Sequence, residues 1–387
     1  MNWKRNSWTL LVAGLFVAGF TNCSDWTETD NEWVLESGNT ETNKPESYYH
    51  NLRAWKASDH AISFGWYSGW GEPTVSTTNM LAGIPDSMDI VSLWGNWSNL
   101  SEGKLRDLRE VQQKKGTKVV FCSFTSYVGQ NLTPAEHNTD EATRNEFWGW
   151  KDGDSEAINA AIAKYAKAIA DTVFKYNYDG FDIDFEPNYG YGGPLASNMG
   201  HMHTLLTELN KYMGPKSPNP DKLLIVDGEP QTLNAESGPL IDYFIVQAYT
   251  VSGGSPSPDA TGYETDKDNR LQRCLNKFQS VMSEEEITNR YVICENLESA
   301  MDALNGGFYW VFRDGTKADK SKVPSLVGMA MWQPTNGFRK GGFGAYQFGY
   351  EAMNSPSYKW MRTAIAAQQA LEKPETSETP ETPEAGQ

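Results

Sequence analysis

Residues 179–186 read Asp-Gly-Phe-Asp-Ile-Asp-Phe-Glu, an alternation of acid and apolar side chains that a β-strand sorts onto two faces. Phe181, Ile183 and Phe185 fall on one face. Asp182, Asp184 and Glu186 fall on the other, with neighbours about 6.6 Å apart along the strand. Three acids in line on an inward face cannot all ionise cheaply, so their repulsion raises at least one pKa and leaves a proton shared among them. A calcium loop of the EF-hand kind, counted from Asp182, needs glycine sixth and glutamate twelfth; the chain has Pro187 and Gly193 there, which excludes it.

Outward from this run the chain repeats one order between about 55 and 371: a short apolar run, a polar loop, then helical spacing. The runs lie at 61–66, 88–94, 118–124, 180–186, 222–227, 243–249, 290–294 and 326–332. Their only basic residues, Lys118, Lys222 and Arg290, sit at starting ends, so no cation is placed to neutralise the acids. Before the fourth run, Ile158, Ile162, Tyr165, Ile169 and Val173 make one helical stripe that starts near Asp154 or Ser155. Eight strands alternating with helices predict an α/β fold, a single-domain (β/α)8 TIM barrel over 55–371, with its chemistry at the C-terminal ends of the strands. An open doubly wound sheet would carry a glycine-rich phosphate loop after the first strand, and none is present.

The ends read differently. Lys4 and Arg5 precede an apolar run from Trp8 to Phe20, and Phe20-Thr21-Asn22-Cys23 follows. The run is too short to span a bilayer, so 1–22 reads as an export signal. Small and polar residues before Cys23 resemble a loose lipoprotein signal, and Asp25, Glu28, Asp30 and Glu32 after it resemble the surface-export signals of Bacteroidetes lipoproteins. The expectation is lipidation at Cys23 and a place at the cell surface or outer membrane, touching the membrane only through the lipid anchor; a plain secretory signal is the alternative. Residues 23–54 read as a flexible acidic stalk and 372–387 as a disordered tail. Cys122, Cys274 and Cys294 remain, an odd count without the spacing of a disulfide framework or a zinc site.

Fifty Asp and Glu against 33 Lys and Arg give a formal charge of −17, and the basic residues do not cluster, which argues against nucleic acid as a partner. Without its first 22 residues, which hold two cations and no anion, the charge becomes −19. Aromatic residues make up 12% of the chain, with 14 Trp and 18 Tyr; rings of this kind stack on the apolar faces of sugars.

The acids at 179–186 resemble the Asp-x-x-Asp-x-Asp-x-Glu signature of glycoside hydrolase family 18, the chitinases and endo-β-N-acetylglucosaminidases, on the fourth strand as that family has it. The resemblance implies that Glu186 is the general acid, that Asp184 orients the substrate's own 2-acetamido group as nucleophile, and that Asp182 shares a proton with Asp184. It makes Gln247 and Tyr249, two apart on the sixth strand, the pair that hydrogen-bonds the acetamido group. Trp332, ending the eighth run, becomes the floor of the sugar subsite. Trp66 and Tyr67 after the first strand, and Asn188 and Tyr189 after the acid, are candidate sugar contacts. Asp179, out of phase, is expected to be structural.

Where the family's third strand usually ends Ser-x-Gly-Gly, this chain has Ser123-Phe124-Thr125-Ser126; Ser123 is a candidate partner of Asp182, and the missing glycines put that part of the pocket in doubt. Only about 27 residues separate Glu298 from Leu326, too few for a helix and the subdomain with which many chitinases wall their cleft. A shallower site with aromatic loops at 66–80, 127–153 and 187–200 suits a branched glycan. The expected function is therefore endo-β-N-acetylglucosaminidase action on the core of N-glycans or glycoproteins, by a monomer, with no cofactor and no metal. A chitinase and a surface glycan-binding protein without turnover are the alternatives.

Overall fold

The computed structural model describes residues 44–73, 77–189, 192–249 and 263–372. Eight parallel strands close into one barrel in chain order: β1 (Ile62–Tyr67), β2 (Ile90–Trp94), β3 (Lys118–Phe124), β4 (Gly180–Phe185), β5 (Leu223–Gly228), β6 (Tyr243–Gln247), β7 (Tyr291–Asn296) and β8 (Gly342–Tyr346). β8 pairs with both β7 and β1, so no edge strand is left to template aggregation. This is the (β/α)8 barrel the alternation predicts.

Period two divides the core. Inward residues such as Phe64, Ile90, Val120, Cys122, Ile225, Ile245, Val292 and Cys294 fill the lumen. The alternate residues, Phe181, Ile183 and Phe185 among them, pack against the helices. The helix Ser155–Tyr176 buries Ile158, Ile162, Tyr165, Ile169 and Val173, and the side chain of Asp154 accepts from the Ala157 amide at its N-terminus. Asp179 lies outside the lumen and accepts from the Val119 amide at 2.8 Å and from Gln112 at 2.6 Å. It ties the start of β4 to β3, a structural task.

Two boundaries differ from expectation. The run 326–332 is not the eighth strand: Ser325–Met331 is a helix of the outer layer, with every residue but Met331 buried. A short, wholly apolar run fits a buried helix as well as a strand, and Leu, Met and Ala favour the helix. The true β8, Gly-Phe-Gly-Ala-Tyr, carries two glycines, which weakens any strand signal. Gly344 is needed because a Cβ there would come within 2.6 Å of the Phe64 carbonyl oxygen and 2.7 Å of Cys294 Sγ. The flexible stalk expected over 23–54 also ends early, since Glu46–Lys56 is a helix that buries Tyr48, Tyr49 and Leu52. Cys23, the export signal 1–22 and the tail from 373 onward lie outside the described residues.

Ile169→Ala should destabilise the fold by about 2–5 kcal/mol, whereas Asn159→Ala, on the exposed face of the same helix, should stay within about 0.5 kcal/mol. Urea unfolding measures both; equal effects would contradict the assigned stripe.

Candidate active site

The lumen places four carboxyls together, one more than the motif turns inward. β4 supplies buried Asp182 and Asp184, then half-buried Glu186 just past its end. β5 supplies Asp227, paired in register with Asp184 and equally buried. Its phase with Leu223 and Ile225 turns it inward, a signal legible in the run Leu-Leu-Ile-Val-Asp that sequence reasoning passed over. Gly228 follows with φ +91°, and a Cβ there would lie 2.5 Å from the Phe185 carbonyl oxygen and 3.1 Å from Glu186 Cγ. Glycine lets β5 turn away beside Glu186.

Hydrogen bonds surround these acids unevenly. Asp182 Oδ2 accepts from Ser92 Oγ at 2.6 Å and from Trp66 Nε1 at 3.0 Å. Asp182 Oδ1 is buried and has no hydrogen-bond partner among the described residues. Asp227 Oδ2 accepts from the Cys122 thiol at 3.6 Å, and its Oδ1 from Gln247 Nε2 at 3.2 Å. The same Gln247 nitrogen donates to Glu186 Oε1 at 2.5 Å. Asp184 Oδ1 is likewise buried and partnerless, and Asp184, unlike Asp182 and Asp227, makes no hydrogen bond with any described residue.

Burial is the first cause that raises all four acids. It pushes Asp182 up to about 6, while the hydrogen bonds from Ser92 and Trp66 hold it down. Asp184 goes well above the usual carboxylate range, with the charges of Glu186 and Asp182 adding to burial. Asp227 does the same, with Asp184 and Asp182 adding. Glu186 is raised by burial and, after the opposing Gln247 bond, by Glu229. Atoms of Cys122, Asp184 and Asp227 lie within 4.8 Å of one another, but burial raises the Cys122 thiol well above its ordinary value. It therefore serves as an S–H donor, not as the thiolate a soft metal needs.

The sequence-predicted residues divide accordingly. Asp182, Asp184, Glu186, Gln247 and Tyr249 come together. Burial, then the charges of Asp227, Cys294 and Asp184, keeps the Tyr249 phenol protonated and a donor. Trp66 is inward as well, though it bonds Asp182 beneath the site. Ser123 is not the partner of Asp182. It faces the helices, one residue out of phase with Cys122, and accepts from Asn131 at 2.7 Å; Ser92 takes the expected role.

Tyr67 likewise turns outward and donates to the Thr78 carbonyl. Trp332 ends the outer helix, fully buried, with Nε1 3.1 Å from Asp268 Oδ1 and its ring edge-on to Tyr291. It cannot floor a subsite in the lumen. The position at the end of the eighth strand belongs to Tyr346, stacked 6.2 Å from Tyr249 and edge-on to Trp66 and Trp94. Trp94 in turn meets Phe124 at 5.2 Å. Trp94 and Phe124 were legible as the last inward residues of β2 and β3, whereas Tyr346 was hidden by the misplaced strand.

The loop aromatics mostly pack. Trp70, Trp148 and Trp150 are buried and bond Asp107, Thr133 and Asp152. Tyr189, 72% exposed, is presented to solvent. Asn188 is exposed and is held by Glu229, to which its backbone and side-chain nitrogens donate at 3.0 Å.

With this geometry in place, known proteins can be compared. Residues 27–367 match the model of glycoside hydrolase family 18, BT1044-like. The chain is 28% identical over 208 residues to endo-beta-N-acetylglucosaminidase F2 of Elizabethkingia meningoseptica, covering 51% of this chain and 54% of that one. It is 23% identical over 309 residues to endo-beta-N-acetylglucosaminidase EndoS of Streptococcus pyogenes serotype M1, covering 73% and 29%. It thus spans about half the length of the first relative and less than a third of the second. Among solved structures it is similar to BT1044, with a TM-score of 0.70 at 26% identity over 90% of this chain and 98% of that one. It shares the fold of an endo-beta-N-acetylglucosaminidase from Cordyceps militaris, with a TM-score of 0.52 at 21% identity over 84% and 97%.

Raised carboxyl pKa values mean that the folded state holds more protons than the unfolded state. Stability therefore falls as pH rises from about 4 through the folded pKa values. Asp184→Asn removes one of these acids and should raise Tm by about 2 °C or more at pH 8, and by less at pH 5. Calorimetry at both pH values checks this; an equal or larger gain at pH 5 would contradict a protonated acid stack.

Proposed function

The chain belongs to glycoside hydrolase family 18, and we propose that it is an endo-β-N-acetylglucosaminidase, hydrolysing the β-1,4 bond between the two core GlcNAc residues of N-glycans with retention. The observation that carries the reading is Asp184 itself, which makes no hydrogen bond with any described residue and has a buried Oδ1, placed beneath Glu186 and beside Tyr249. An acceptor without a donor in a closed lumen is unfavourable unless a ligand supplies the donor, and an acetamido N–H is a donor of the right kind. The names of the two curated relatives support the endoglycosidase class. So does the segment between Asn296 and Gly342, which makes two short helices and a few isolated bridges rather than a second domain beside the barrel.

In this reading Glu186, kept protonated by burial and by Glu229, gives its proton to the glycosidic oxygen as the bond to the anomeric carbon breaks. The acetamido carbonyl oxygen bonds to that carbon from the opposite face, forming a cationic oxazolinium. Asp184 accepts the acetamido N–H and opposes the growing positive charge. Tyr249 and Gln247 orient the same group. Water then attacks the anomeric carbon and yields a proton to the Glu186 carboxylate, which restores both the acid and the acetamido group. The rim of Trp94, Phe124 and Tyr346 offers flat faces to the sugar. A lipid anchor at Cys23, a cell-surface location and a monomeric state belong to the same proposal and rest on the sequence alone.

Incubation with an N-glycoprotein should leave the protein carrying one GlcNAc per cleaved site, as read by mass; whole-glycan release, or cutting of chitin oligomers alone, would contradict the reading. Glu186→Gln should lower kcat about 10²–10⁴-fold with glycan binding retained. Asp184→Asn should lower kcat with little change in KM; a raised KM at unchanged kcat would remove Asp184 from its assigned role.

A further inference from the structure

Asp227 belongs to none of the motif positions, yet it lies in register with Asp184 and shares the carboxamide that holds Glu186. It accepts from the Cys122 thiol at 3.6 Å and from the Gln247 amide at 3.2 Å, and the same amide nitrogen donates to Glu186. The arrangement is a chain, Asp227 to Gln247 to Glu186, beside a carboxyl, Asp184, that takes part in no link. We propose that Asp227 is a positioning residue of the cleavage: it fixes the Gln247 carboxamide beside the general acid and leaves Asp184 as acceptor for the substrate amide. The inference rests on the reading of the site as a substrate-assisted hydrolase.

Two features favour this over a packing role. A leucine or valine would fill the end of β5 without adding a fourth acid to a lumen that already holds three. The groups facing Asp227 are Asp182, Asp184 and Glu186 from β4, Cys122 from β3, Gln247 and Tyr249 from the end of β6, and Cys294 from β7. None is a cation, so Asp227 is not retained for an ion pair. It works as an acceptor for the Gln247 amide, with its carboxyl pushed toward the neutral form by burial and by the charges of Asp184 and Asp182.

Asparagine keeps a neutral acceptor at this place, and alanine removes it. With wild type, Asp227→Asn and Asp227→Ala assayed on an N-glycopeptide and on chitin oligomers, Asn should keep kcat within about threefold of wild type, with the same pH optimum. Ala should lose about tenfold or more in kcat with KM little changed. In a Gln247→Ala background the Ala substitution should cost less than about threefold, since the group it positions is gone. If the alanine variant does not fold, as read by its melting curve, Asp227→Leu takes its place.

Equal loss in Asn and Ala would show that Asp227 acts as an anion, and full activity in both would show a packing role; either overturns the inference. The ratios are read on whichever substrate the wild type cleaves. A wild type that cuts only chitin oligomers therefore defeats the N-glycan reading while the Asn-to-Ala contrast still decides the role of Asp227.

Discussion

Four carboxyls gathered in a barrel lumen with no cation facing them among the described residues are the constraint on which the rest of the site depends. Ionising all of them would set like charges side by side where water cannot screen them. The protein responds by retaining protons and by surrounding the acids with neutral donors, Ser92, Trp66, Cys122 and Gln247. That choice gives the cluster its direction. Donors gather on Asp182 and Asp227, while Asp184 has none among the described residues and Glu186 takes its one from Gln247, so both are left able to change charge as a substrate reacts.

The barrel makes this arrangement affordable. Eight parallel strands fix each inward side chain from both neighbours, and the long helix Ser155–Tyr176 holds β4 through a stripe of buried aliphatics. The acids are strained with respect to charge, not geometry, because rigid strands prevent them from moving apart. A site that is costly to the fold and useful to the reaction is the usual trade between stability and activity.

Much of this was legible in the alternation at 179–186 and in period two elsewhere. Phase alone assigned Phe181, Ile183 and Phe185 to the helix layer and the acids to the lumen, and helical spacing located the stripe of Ser155–Tyr176. The failures share two causes. Ser123 and Tyr67 were chosen for residue type although their phase points outward; applied strictly, the same alternation would have selected Ser92, Asp227, Trp94 and Phe124. The misplacement of β8 had another origin, since a wholly apolar run at 326–332 outweighed a glycine-rich strand whose glycines are demanded by contacts with Phe64 and Cys294 that no local pattern records. That one error moved the aromatic rim from Tyr346 to Trp332.

The central claim is that the acid stack serves a nucleophile carried by the substrate. Replacing the acetamido group at the cleaved GlcNAc by mono-, di- and trifluoroacetamido groups weakens its carbonyl oxygen stepwise without changing the leaving group. The account predicts that kcat falls steeply with each fluorine. A rate that does not respond to fluorination would contradict it and would require a nucleophile from the protein or from water.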